Sequence, residues 1–89
     1  MIEREVMITN KLGLHARASA KLVQLLQGYK CNAFLTFRGR EVNAKSIMGV
    51  MMLAAGVGNP ILLRAEGEDE EAAMNALVDL FVRKFDEGA

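Results

Sequence analysis

In "CNAFLTFRGREVNA", Cys31 to Ala44, two extended segments meet across a tight turn. Cys31 to Phe37 is rich in aromatic and aliphatic residues and reads as a strand. "RGR" turns the chain, and Glu41 to Ala44 makes a second, shorter strand, so the pair is a hairpin. The first of these strands is apolar on both parities, which suits a central position in a sheet. Helical patterns flank the hairpin on both sides. Before it, from Ala16 to Gln27, Ala18, Leu22, Leu25 and Leu26 share one face, with Arg17, Lys21 and Gln24 on another. Gly28 is a suitable stop. After it, Ser46 stands at the N-cap of a short apolar helix, Ile47 to Leu53.

Further out, residues 2 to 9, "IEREVMIT", alternate and form a first strand that "NKLG" breaks. "AAGVGNP" is a loop closed by Pro60, and Ile61 to Gly67 is a fourth strand. "EDEE" supplies acidic residues to a helix N-terminus, where they are favoured. Ala73, Ala76, Leu77, Leu80, Phe81 and Phe85 give the stripe of a last helix, and Gly88 follows its end. The order is βαββαβα. A hairpin between helices, with too few strands for a doubly wound sheet, predicts an α+β fold: a four-stranded sheet with helices on one face.

The chain has 89 residues, enough for a single domain spanning 1–89 and one core. Lys and Arg together number 11, as do Asp and Glu, so the formal charge is zero. That balance argues against nucleic acid and anionic membranes as partners. Cys31 is the only cysteine, so no intramolecular disulfide is possible. "EREV" after Met1 is no signal peptide, and "IMGVMMLAAGVG" is too short and glycine-rich to span a bilayer. The expected location is cytoplasmic, with no membrane insertion. One histidine and one cysteine cannot make a conventional metal site. "EDEE" lacks calcium-loop spacing, and "GVGNP" lacks the Gly-Lys-Ser/Thr of a phosphate loop.

His15, the only histidine, lies in "NKLGLHARAS", Asn10 to Ser19, just ahead of the first helix. The first turn of a helix has backbone N–H groups without partners, and these favour anions. Arg17 adds fixed positive charge and biases the imidazole toward its neutral, nucleophilic form. A phosphoryl group taken up by that ring would carry negative charge where the amides and Arg17 can hold it. Phosphoryl transfer is mostly positioning and electrostatics, so a small domain suffices if a partner supplies the rest. The residues alone also allow a surface histidine that merely caps the helix.

In the short helix, Gly49, Val50 and Leu53 fall on one side, and Ile47, Met48, Met51 and Met52 on the other. Only one side can face the core. The surplus is mostly methionine, which suits adaptable docking; burial of both sides under loops is the alternative. Ser46 is most simply an N-cap. Phosphorylation there would be compatible with the helix dipole and would place negative charge beside the apolar patch.

Two motifs together resemble a known family. "NKLGLHARASAKLVQ" is similar to the active-centre segment of the HPr family, the histidine-containing phosphocarriers of the bacterial phosphoenolpyruvate:sugar phosphotransferase system. "NAKSIMGVMMLAAGVG" is similar to the same family's regulatory-serine segment. Their separation, the βαββαβα order and the length fit as well. The resemblance implies an open-faced sandwich: an antiparallel four-stranded sheet with three helices on one face. It implies a carrier without cofactor rather than an enzyme, acting as a monomer. His15 would be phosphorylated on Nδ1, taking phosphoryl from enzyme I and passing it to EIIA-type domains, with Arg17 steadying the group. Ser46 matches the serine modified by HPr kinase/phosphorylase in species that have it. Ile47, Met48 and Met51 match the docking patch, with Ala20, Gln24 and Lys45 at its margin. One departure is Ala18, where most members have proline. Proline in a first turn is allowed but not required, so the helix and the chemistry are expected to survive. The departure leaves room for a regulatory or nitrogen-related branch acting mainly through docking and Ser46.

Overall fold

Arg38 and Gly39 close the central hairpin, both with positive φ, 50° and 80°. Two left-handed residues in a row make the tight turn whose twist matches the strands it joins. The hairpin connects β2 (Asn32–Phe37) to β3 (Arg40–Asn43), with Phe37 opposite Arg40. The computed structural model describes residues 1–87. Around the hairpin it places β1 (Ile2–Met7), α1 (Ala16–Gln27), α2 (Ile47–Met52), β4 (Pro60–Glu66) and α3 (Glu70–Val82), followed by a short turn at Lys84–Asp86. The predicted βαββαβα order holds.

All pairings are antiparallel, and the sheet order is β1-β4-β2-β3. β2 is therefore interior, as its double-sided apolar character predicts. Ala33, Leu35 and Phe37 of β2 and Ile61, Leu63 and Ala65 of β4 point to one side and are buried. There they meet the apolar faces of the helices, including Leu22 and Leu26 of α1 and Leu77 and Phe81 of α3. The alternate residues form the open face. On it, the Arg64 guanidinium stacks 4.5 Å from the Phe34 ring centroid and pairs with Glu41 at 3.1 Å.

Several boundaries move. β1 ends at Met7 rather than residue 9, β3 runs one residue earlier, and α2 ends at Met52. β4 begins at Pro60, a first-residue position where the missing N–H breaks no ladder bond. Gly28 does end α1, but with right-handed backbone (φ −78°), so no left-handed cap is involved. On α1, Ser19 and Val23 join the buried face while Leu25 is half-buried. On α3, Met74 is buried and Ala76 only half-buried.

The end of α3 differs most. The helix stops at Val82, so Phe85 is not on its stripe. Lys84, Phe85 and Asp86 all have left-handed backbone, with φ of 56°, 54° and 61°. Left-handed residues with a side chain cost on the order of 1 kcal/mol each. Phe85 offsets this by complete burial, edge-on to Phe81 at 4.9 Å, since burying such a side chain contributes roughly 1.5–3 kcal/mol. Gly88 lies outside the described residues.

Candidate functional site

The loop from β1 to α1 is held by backbone bonds to the segment that follows α2. Ile8 N–H donates to Asn59 O at 2.9 Å, Gly58 N–H donates to Ile8 O at 2.8 Å, and Leu14 N–H donates to Ala55 O at 2.9 Å. Ile8 and Leu14 are buried beneath it. The segments that carry His15 and Ser46 thus meet through their loops.

His15 is the residue preceding α1, and its carbonyl accepts the Ser19 N–H at 2.9 Å. Its side chain makes no capping bond. Instead Nε2 meets the Glu87 carboxylate. An ionised carboxylate only accepts, so Nε2 carries the proton and donates. In the neutral ring that leaves the lone pair on Nδ1. The other carboxylate oxygen, Oε1, accepts from Asn10 Nδ2 at 3.1 Å, and the same amide donates to Gly13 O at 2.7 Å. Burial alone would push the Glu87 carboxyl up. The bonds from His15 and Asn10 and the charges of His15 and Arg17 outweigh it and hold the pKa below the ordinary glutamate value.

Arg17, in the first turn of α1, is exposed and has no hydrogen-bond or ion-pair partner among the described residues. No acidic residue occupies that first turn itself, and the nearby carboxylate, Glu87, is engaged by His15 and Asn10. His15, Arg17, Lys11, Lys21 and Glu87 line an open depression of about 790 Å³. Lys21 is already engaged, donating to Phe85 O at 2.9 Å and pairing with Asp86 at 3.5 Å. Arg17, without a partner among the described residues, thus stands beside the imidazole at a helix N-terminus. That arrangement suits a ring nitrogen receiving an anionic group. Ala18 is fully buried and α1 still starts at Ala16, so the helix forms without the family's proline.

The Ser46 hydroxyl accepts from Gly49 N–H at 3.1 Å and caps α2. Val50 is fully buried and Leu53 nearly so, whereas Met48 is 70% exposed and Met52 62%. Ile47 and Met51 are also exposed. The two sides of α2 therefore divide as its spacing predicts. α1 packs against α2, which brings half-buried Ala20 and exposed Gln24 onto the helix adjoining this patch. Lys45 is partly withdrawn, its ammonium donating to Tyr29 O at 2.7 Å. Ser46 does not line the His15 depression.

Cys31 is buried, and burial, then the Asp69 carboxylate, push its thiol pKa up, as fits an unreactive packed side chain. Among the described residues no helix is long and apolar enough to cross a membrane.

Sequence reasoning missed Glu87 and Asn10. Glu87 arrives from the far end of the chain through the left-handed turn, and no short-range pattern announces it. Asn10 reads only as part of a break, although it is 1% exposed.

Residues 2–83 match the family model described as the PTS HPr component phosphorylation site. The chain is 59% identical over 87 residues to the phosphocarrier protein HPr of Xylella fastidiosa, covering 98% of each chain. It is 53% identical to the phosphocarrier protein HPr of Cupriavidus necator, covering 99% of each. The crystal structure of HPr-C-His from Thermoanaerobacter tengcongensis superposes with a TM-score of 0.94 at 47% identity, covering 98% of both chains.

Proposed function

The chain belongs to the HPr family, phosphocarriers of the bacterial phosphotransferase system rather than enzymes, and from that premise we propose that His15 Nδ1 is the atom that carries the phosphoryl group. Its lone pair attacks the phosphorus of phospho-enzyme I, and the same bond is later broken by an acceptor on an EIIA-type domain. The observation that carries this reading is the placement of His15: ahead of α1, its side chain not spent on capping, beside an Arg17 that has no partner among the described residues. Arg17 and the first-turn amides neutralise the charge of the incoming group.

The exposed Ile47, Met48 and Met51, with Ala20, Gln24 and Lys45 at the margin, form the surface on which these partners dock. Ser46 is a regulatory phosphorylation site in a host with HPr kinase/phosphorylase. A phosphate there keeps accepting from the helix amides and sets negative charge beside the patch.

Incubation with phosphoenolpyruvate and enzyme I should add one acid-labile phosphate, absent in His15→Ala. An acid-stable phosphate, or persistent labelling of His15→Ala, would overturn the reading. With HPr kinase/phosphorylase and ATP, Ser46→Ala should take up no phosphate.

A further inference from the structure

We propose that Glu87 is a positioning residue for phosphoryl transfer, fixing the proton of His15 on Nε2 so that Nδ1 is the nucleophile. This rests on the reading that His15 is the carrier. Three features show that the contact is built in. The carboxylate is held at both oxygens, by His15 at one and by buried Asn10 at the other. Its side chain is only 14% exposed. Three consecutive left-handed residues bring it there, anchored by fully buried Phe85 and by Lys21 on the Phe85 carbonyl. A backbone that costly persists only where its surroundings hold it.

The transfer balances without a proton leaving. The Nδ1 lone pair forms the bond to phosphorus. The bond from phosphorus to the donor breaks, and its electron pair stays with the donor's leaving atom. Nε2 keeps its proton, so the ring of the phospho-form carries positive charge, and the Glu87 carboxylate sits against it. Arg17 and the helix amides serve the phosphoryl oxygens, while Glu87 serves the ring. A carboxylate holding the far nitrogen of a working histidine orients the ring and sets its tautomer.

The test uses the full chain and two variants, Glu87→Ala and Glu87→Gln. Nitrogen-15 NMR of His15 should give a slowly exchanging Nε2 proton and a single Nε2–H tautomer in the parent. In Glu87→Ala that proton should exchange away and both tautomers should appear. The Gln carbonyl still accepts, so Glu87→Gln should keep the proton signal. Phosphoryl uptake from phospho-enzyme I should slow by roughly tenfold in kcat for Glu87→Ala, with KM little changed, and by less for Glu87→Gln. The backbone NMR spectrum away from the site reports that each variant is folded. An unchanged tautomer in Glu87→Ala, or uptake as fast as or faster than the parent's, overturns the proposal. The NMR arm needs no phosphoryl donor, so it decides whether Glu87 fixes the His15 proton separately from the labelling of His15→Ala, which decides whether His15 is the carrier.

Discussion

Gly13 stands two residues before His15 with φ of +64°, and a Cβ there would lie 2.4 Å from the Ala55 carbonyl oxygen and 2.9 Å from Gly56 Cα. Both obstacles are backbone, so neither can swing aside. A Gly13→Ala chain that keeps this backbone takes on left-handed strain, on the order of 1 kcal/mol, and must also push the loop off the segment after α2. The expected loss is about 2 kcal/mol or more, which for a domain of this size lowers Tm by roughly 10 °C. Thermal melting followed by circular dichroism checks it, and an unchanged Tm would show that the loop has room to give. The sequence reads Gly13 only as a break after the first strand. What the glycine is for depends on Ala55 and Gly56, and no local pattern links those positions. The same limit applies to Glu87. His15 and Arg17 are legible because helix start, cation and nucleophile lie within three residues of one another.

Ser46 and α2 show the opposite case, an element readable from its own residues. The helix has six residues and a glycine inside it, so its intrinsic stability is slight and the cap is a large share of what holds it. Ser46→Ala removes the acceptor of the Gly49 N–H and should cost about 1 kcal/mol. Ser46→Asp supplies another acceptor at the same place and should stay within about 0.5 kcal/mol of the parent. Urea titration of the three proteins separates these outcomes; equal losses in both variants would mean that the hydroxyl is held by something other than the cap. The division of α2 into a buried Val50 side and an exposed methionine side is legible for the same reason, because 100° spacing acts within one element. The end of α3 was not. Phe85 sits one helical turn after Phe81 in sequence, so continuing the stripe is the simplest reading. The left-handed turn at Lys84–Asp86 buries the ring by another route, and periodicity carries no sign of backbone handedness.

Across the whole molecule, three carboxylates act as fasteners, two of them between distant segments and one within a turn. Asp69, just ahead of α3, accepts the N–H groups of Lys30 and Cys31, both at 2.8 Å, and so fastens α3 to the connection between α1 and β2. Glu70 accepts the Gly67 N–H at 3.0 Å, holding the turn from β4 into α3. Glu87 fastens the end of the chain to His15 and Asn10. All three have lowered pKa values. For Asp69 the chief cause is the Lys30 N–H, working with the Cys31 N–H against partial burial; for Glu70 it is the Gly67 N–H. For Glu87, burial opposes the shift, and the contacts with His15 and Asn10 prevail. A carboxyl held lower in the folded chain than in the unfolded one binds fewer protons when folded, so stability rises with pH across that interval. The contribution is complete above the unfolded values, about 4, and is lost as the pH falls through the lower folded values. The urea midpoint should therefore change little between pH 7 and 5 from this source and fall steeply below about pH 4. Asp69→Asn keeps one acceptor but turns an amide N–H toward a backbone N–H. It should be less stable than the parent at pH 7 and should lose less stability between pH 4 and 3, because one of the three carboxylates no longer titrates. If the Asp69→Asn midpoints run parallel to the parent's through that range, the fastening of α3 contributes nothing to acid sensitivity, and the fall belongs to Glu70 and Glu87.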